Sequence, residues 1–478
     1  MNATINRENL ILLTDSYKLG RTVQYPPHTT NAYYYFESRA GAKYPETVFF
    51  GLQMLLMRYL EGSVVTREDL KEADAFAKEH FLGLDLLDRP MWEHIVNEHS
   101  GRMPIRIRAV GEGTPVEVSN VLMDVSATDP KCMALPGVLE SLLTHVWAPS
   151  NTATISYCLR QFITLAFIKT VPVENHWLLD YMLHDFGYRG VSSTESAGMN
   201  GAGHLTSFKG TDTLIGIVYA NRYYNAGICG HSVAATEHSV MTALGRSGET
   251  KMIDRVIKGY PKGILSVVSD SYDIKAAIKY YGTVAKEAIL ARDGKFVVRP
   301  DSPRFKSETP ASQIVWIAQQ LEHYFGATTN RLGFKELHPK VGIIYGDGLS
   351  VEKIEEAVTA LVAAGYAAST CVYGMGGGLL QKHNRGTQRS AFKCAAQERD
   401  GKWHDVYKEP LDSTKASKRG HLFLTKDKAT GKHITIRETG IAQAGYRPEQ
   451  NLLETVFENG TLLKDTSWAE VRKNTTAG

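Results

Sequence analysis

Asp270, the Arg299-Pro300-Asp301 triplet, Asp347 between Gly346 and Gly348, and the run Gly376-Gly377-Gly378 each close a short apolar stretch. Together they carry what an anionic, phosphorylated ligand with a divalent cation requires. Glycines let backbone N–H groups approach phosphate, an arginine pairs with it, and carboxylates hold Mg2+ or sugar hydroxyls. Any one of these turns alone is ordinary turn chemistry; four in series, with acids, an arginine and an oligoglycine turn, point to a binding site.

The stretches that must position these residues are 264–269, 295–299, 341–345 and 369–373. Each is four to six residues long, rich in Val, Ile and aromatics, and too short for a helix, so each predicts a strand buried on both faces. After Asp270, the spacing of Ile274, Ala277 and Ile278 predicts a helix; after Gly348, Ser350 is an N-cap for a helix that closes on Gly365. Strands alternating with helices pair in parallel, and parallel sheets place ligand sites at the carboxyl ends of their strands. The unusual residues all sit there.

The rest of the chain is organised differently. Residues 31–39 alternate and are aromatic-rich, predicting a strand that ends at Arg39. Residues 47–60 and 66–81 have helical spacing, the second with Thr66 as N-cap. Residues 103–130 return to short strands broken by Gly and Pro, as in an antiparallel sheet. From about 144–151 the character changes, and Ile155, Leu159, Phe162 and Ala166 mark one face of a long helix. Residues 183–205 are dense in Gly, Ser and His, and 229–239 supply His231, Glu237 and His238.

At 478 residues the chain is long for one core, and two domains are expected. The balance of 43% hydrophobic and 22% charged residues is that of a soluble globular protein. Five dispersed cysteines, with no C-x-x-C pair, fit a reducing compartment. No signal-peptide pattern or apolar run long enough for a membrane span is present, so a cytoplasmic protein is expected. A net charge of +3 is too small to argue for nucleic acid. Residues 382–419 are locally basic without any helix-turn-helix or zinc-ligand pattern; Arg385, Lys393, Lys408 and Lys415 read better as a small-anion site than as a duplex-binding face. A hydrolytic metal centre built from His184, His231, His238 and Asp270 is the rival chemistry, but H-x-H and H-E-x-x-H patterns are missing.

HDFGYRG (184–190), FKGTDT (208–213), EHS (237–239), SVVSDSYD (266–273), RPDS (299–302), GDG (346–348), GGGLLQK (376–382) and AFKC (391–394) occur in the order and spacing of the nicotinamide phosphoribosyltransferase family. The chain resembles that family from about Asn9 to about Lys473, with Met375 departing from the small polar residue usual in its glycine turn. The resemblance implies a type II phosphoribosyltransferase fold of class α/β: a β/α barrel-like domain over 149–378, and a β-rich α+β domain formed by both ends of the chain, 1–148 and 379–478, with about the first 30 residues packing on the barrel. It implies transfer of a phosphoribosyl group from 5-phosphoribosyl 1-pyrophosphate to nicotinamide in NAD salvage, with Mg2+, and with ATP coupling through a phosphorylated His238 beside Glu237. It implies a homodimer with shared active sites. For the pyrophosphate it points to Arg189 and Arg299, for ribose hydroxyls or hydrated metal to Asp270 and Asp301, and for the ribose to Gly346 and Asp347. Gly376, Gly377, Arg385, Lys393, Arg39, Lys408 and Lys415 fall to the 5-phosphate; Phe186 and a partner's Tyr17 fall to the two faces of the base, and Asp212 to its amide. A nicotinate phosphoribosyltransferase and a non-catalytic phosphate-binding protein remain the alternatives.

Overall fold

The four apolar stretches form the strands Leu265–Val268, Phe296–Arg299, Val341–Tyr345 and Cys371–Met375. They pair in parallel as neighbours, as their two-sided burial requires. The last runs two residues beyond the predicted end, and Ala368–Thr370 before it is a 3-10 turn. Three shorter strands complete the sheet. Leu183–Asp185 and Gly210–Thr211 lie beyond Cys371–Met375, and Ala234–Ala235 lies beyond Leu265–Val268. The segment just before Ala234–Ala235 then meets Gly210–Thr211: the Thr211 N–H donates to the His231 carbonyl at 3.0 Å, and the His231 N–H to the Lys209 carbonyl at 2.7 Å. Seven parallel strands thereby curl into a barrel-like sheet.

This computed structural model describes residues 8–409 and 416–476. The chain forms two units, one comprising residues up to Thr154, Arg222–Ala226 and Asn384 onward, the other Ile155–Asn221 and Gly227–His383. No helix among the described residues is long and apolar enough to cross a membrane.

In the barrel-like unit each strand of the parallel sheet leads into a helix. Asp273 caps Ile274–Gly282, accepting from Lys275 N–H at 2.9 Å, and Ser350 caps Val351–Ala363; Gly365, at φ +83°, ends the latter. Pro310–Phe325 begins with a capping box between Thr309 and Ser312. The long helix is Trp147–Thr170, but its buried line is Ile155, Leu159, Ile163 and Phe167, with Phe162 and Ala166 only half-buried. The helix packs along its i, i+4 ridge rather than drifting back to i+7.

The Gly-dense segment contains the helix Thr194–Leu205. Its glycines are there for contact. A Cβ on Gly216, in the helix Leu214–Tyr224, would lie 2.9 Å from the Gly201 carbonyl carbon and 3.0 Å from its Cα, and a Cβ on Gly198 would lie 2.6 Å from the Tyr219 ring. The two helices cross backbone to backbone.

The other unit is built on an antiparallel sheet of seven strands, in the order Lys402–Asp405, Ala391–Arg399, Thr29–Glu37, Val121–Ala127, Ile105–Ala109, Glu454–Glu458 and Thr461–Leu462. Both ends of the chain therefore contribute to one core. Thr66 caps Arg67–His80 through a capping box with Asp69. The helix expected from 47 begins only at Leu52, because Glu46–Val48 is drawn into a short strand and Gly51 turns the chain at φ +99°. The buried Glu112 carboxylate fixes that start, accepting from the N–H groups of Gly51 (2.8 Å) and Gln53 (2.6 Å).

Gly216→Ala is expected to destabilise the protein by about 1–3 kcal/mol, since the atoms it meets are backbone and cannot rotate away. Urea unfolding checks this; unchanged stability would mean that the helices slide apart freely.

Candidate active site

Residues following the barrel strands surround a cleft of about 1150 Å3. Each candidate side chain enters it from a strand's carboxyl end. Phe186 and Arg189 follow Leu183–Asp185; Asp212 follows Gly210–Thr211; Glu237 and His238 follow Ala234–Ala235. Arg299 closes its strand with Asp301 two residues on, and Gly346-Asp347 and Gly376-Gly377 follow the last two strands. Asp270 does not line this cleft. It is 6% exposed and sits against His238, whose Nε2 is 3.2 Å from its Oδ1, while Ser302 donates to its Oδ2.

His238 is 45% exposed, and its second nitrogen, Nδ1, is 3.8 Å from Asp301. Its imidazole thus lies between two carboxylates. Burial raises the Asp301 pKa above the ordinary range; Arg299, 3.7 Å away, opposes this, and the negative charges of Asp270 and Asp347 reinforce it. Arg299 is mostly covered and donates to the Thr236 carbonyl, yet its Nε has no hydrogen-bond partner. A buried guanidinium N–H without a partner is costly, and an anion would satisfy it.

Phe186 is half-buried over glycine. A Cβ at Gly374 would lie 2.1 Å from its ring and one at Gly346 3.0 Å. The glycines of these turns therefore make room for the ring as well as freeing backbone. Asp212 is exposed at the mouth, where Ser232 donates to its carboxylate and its own N–H donates to the Asp185 carbonyl at 2.9 Å. Met375, the departure in the glycine turn, is buried; a Cβ at Gly378 would meet its Cε at 2.9 Å.

Asp185 is the acid that the sequence reading passed over. It is fully buried, Oδ1 accepts from the Gly187 N–H at 2.7 Å, Oδ2 has no hydrogen-bond partner, and burial pushes its pKa up to about 7. An acid closing a Leu-His pair is a weaker signal than that of Asp270, and its strand is only three residues long. The rival metal centre does not form: among the described residues, no group of three His, Cys, Asp or Glu suited to a metal includes His184, His231, His238 or Asp270. His184 is buried, and burial lowers its pKa to about 4 against the opposing charge of Asp212.

The remaining candidates belong to the antiparallel-sheet unit. Arg39, Arg385, Lys393 and Lys408 form a cation cluster there. Burial lowers the Lys393 pKa, and the charges of Arg39, Lys408 and Arg385 lower it further against the opposing pull of Glu140. Arg39 Nε and Nη2 are buried without hydrogen-bond partners. Tyr17, on the turn Ser16–Lys18, is 65% exposed. Lys415 lies outside the described residues.

Residues 181–461 match the nicotinate phosphoribosyltransferase (NAPRTase) family, and residues 9–107 match the nicotinamide phosphoribosyltransferase N-terminal domain. The chain is 40% identical over 475 residues to a nicotinamide phosphoribosyltransferase of Xanthomonas campestris pv. campestris (strain 8004), with 98% of each chain covered. It is 32% identical to one of Acinetobacter baylyi, with 99% of this chain and 97% of the relative covered. In fold it is similar to the nicotinate-nucleotide pyrophosphorylase from Pyrococcus furiosus (TM-score 0.58, 16% identity, covering 99% and 96%) and to human nicotinic acid phosphoribosyltransferase (TM-score 0.56, 15% identity, covering 98% and 93%). A family match over more than half the chain, with near full-length relatives above 30% identity, leads to one conclusion: the chain belongs to the nicotinate phosphoribosyltransferase (NAPRTase) family, as a nicotinamide phosphoribosyltransferase.

Proposed function

We propose that the cleft joins nicotinamide to the ribose of 5-phosphoribosyl 1-pyrophosphate, giving nicotinamide mononucleotide and pyrophosphate as a step of NAD salvage. The observation that carries this reading is the convergence in one cleft of an aromatic face (Phe186), an exposed carboxylate (Asp212), two arginines (Arg189 and Arg299) and the glycine turns at 346 and 376–377. The pyridine nitrogen already has its lone pair, so no base is needed to activate it. Its bond to C1 of the ribose forms as the C1–oxygen bond breaks, and pyrophosphate leaves with the electron pair. Catalysis then rests on holding the reactants in line and stabilising the departing charge.

Arg299, whose Nε lacks a partner, and Arg189 suit the pyrophosphate. Asp301 and Asp347 suit the ribose hydroxyls. The charges of Asp270 and Asp347 both act on Asp301; Mg2+, held mainly by the pyrophosphate near Asp270 and Asp301, would neutralise leaving-group charge. Phe186 stacks on a ring that becomes cationic in the product, and Asp212 accepts from its amide. A carboxylate there disfavours nicotinate, whose own carboxylate it would repel.

His238 suits the role of phosphoryl acceptor from ATP. With its Nε2–H donated to Asp270, the lone pair on Nδ1 is free to attack the terminal phosphorus, releasing ADP, and Glu237 stands beside it. The cation cluster of Arg39, Arg385, Lys393 and Lys408 suits the 5-phosphate. We place it, with Tyr17, in a site completed by a second copy of the chain, in a two-fold dimer carrying two shared sites.

Asp212→Ser is expected to cut the ratio of kcat/KM for nicotinamide over nicotinate by about 10- to 100-fold. An unchanged ratio would mean that this carboxylate does not read the amide.

His238→Ala is expected to abolish ATP hydrolysis and any ATP-driven gain in product while slow Mg2+-dependent transfer persists. ATP stimulation equal to the parent's would put the acceptor elsewhere.

Arg385→Ala and Asp212→Ala, each inactive alone, are expected to complement when refolded together. Random pairing gives half mixed dimers, each with one intact site of two, so activity should reach about a quarter of the parent's. No recovery in a sample shown by mass to contain mixed dimers would confine the site to one chain.

A further inference from the structure

His94, His99, Asp129 and Cys132 gather in the antiparallel-sheet unit, with one ligand atom of each lying within 4.8 Å of the others. Two local motifs supply them. His94 is on the helix Arg89–Glu98 and His99 caps its carboxyl end, while Asp129 caps the turn Pro130–Cys132 that follows the strand Val121–Ala127. His94 Nε2 and His99 Nε2 are each 2.8 Å from the same oxygen, Asp129 Oδ2. The other oxygen, Oδ1, accepts from the Lys131 N–H at 2.8 Å, which fixes the carboxylate's orientation as an outer-shell partner does in metal sites. The Cys132 side chain is fully buried, and the side chains of His94, His99 and Asp129 are 15%, 26% and 21% exposed.

A purely hydrogen-bonded cluster would have both imidazoles donating into one carboxylate oxygen. That accounts for the histidines but gives the buried thiol beside them no part. Two imidazole nitrogens, one sulfur and one carboxylate oxygen form instead a four-donor set of borderline softness, matched to Zn2+ and poorly to Mg2+ or Ca2+. We propose that His94, His99, Asp129 and Cys132 form a structural Zn2+ site that clamps the end of the Arg89–Glu98 helix to the exit of the Val121–Ala127 strand. Bond lengths of about 2.0–2.3 Å put tetrahedral ligand atoms some 3.3–3.8 Å apart, so the widest separation here closes by about 1 Å through side-chain rotation. On binding, the thiol gives its proton to solvent, and each imidazole presents an unprotonated Nε2 with its proton on Nδ1. All four positions are then filled by protein, as in structural rather than catalytic zinc sites. None of the four lines the cleft.

The full-length chain, stripped with a chelator and dialysed against Zn2+, is expected to retain about one Zn2+ per chain by mass spectrometry. Its Tm should rise by about 5 °C or more. Co2+ in place of Zn2+ should give tetrahedral visible bands and a thiolate-to-cobalt charge-transfer band in the near ultraviolet. Cys132→Ser should lose the near-ultraviolet band, and His99→Asn should lose the Tm rise. Both metal readings are made on the parent chain, so a variant that fails to fold leaves the test intact. Zn2+ retention below about 0.2 per chain, or a Co2+ spectrum without the thiolate band in the parent, would overturn the proposal.

Discussion

Parallel pairing of strands buried on both faces is the constraint from which the rest of the barrel-like unit follows. Such strands cannot be joined by tight turns, so a helix must return the chain after each one, and every strand then ends on the same rim. The polar residues that terminate the strands have no choice but to converge. Closure through the Thr211 and His231 hydrogen bonds makes that rim a ring. The result is that residues 160 positions apart in the chain, such as Phe186 and Gly346, become neighbours across one cleft.

How much of this could be read from the chain follows from how strongly each element is written in it. Strands of four or five apolar residues, such as Phe296–Arg299 and Val341–Tyr345, announce themselves, and with them the positions of Asp301, Asp347 and Gly376. Strands of two or three residues, such as Gly210–Thr211 and Leu183–Asp185, carry no periodicity, and Asp185 was hidden with the latter. The helix Thr194–Leu205 was masked for another reason: glycine is a poor helix former, and Gly198 and Gly201 are present because a neighbouring helix presses on them. Tertiary contact there overrides local propensity. The late start of the helix at Leu52 has the same origin, since Glu112, sixty residues away in the chain, decides where the first turn is capped.

Electrostatics explains why the clusters look unfinished. Asp270 and Asp347 repel Asp301, and Arg39, Arg385 and Lys408 repel Lys393. Neither arrangement stabilises a fold by itself; each is held by surrounding packing, at a cost that a bound ion of opposite charge offsets. On the proposed reading, phosphoribosyl pyrophosphate with Mg2+ brings both kinds of charge, a cation for the acids and phosphates for the cations. The unpartnered nitrogens of Arg39 and Arg299 point the same way, because a buried guanidinium N–H without an acceptor is costly until an anion meets it.

His238 combines these themes. Its place after the two-residue strand Ala234–Ala235 brings it to the rim, and Asp270, at the end of the adjacent parallel strand, meets it there. On the proposed reading, that contact holds the proton on Nε2. The other nitrogen, 3.8 Å from Asp301, is then the one proposed to attack phosphorus. Phosphorylation of that nitrogen would put a dianion beside Asp301, so on the proposed reading the phosphorylated enzyme needs cation density at this spot, from Arg299 or Mg2+, more than the resting enzyme does. A mutual preference of phosphohistidine and Mg2+-bound pyrophosphate for the same pocket is one physical route by which ATP could favour the state that binds substrate.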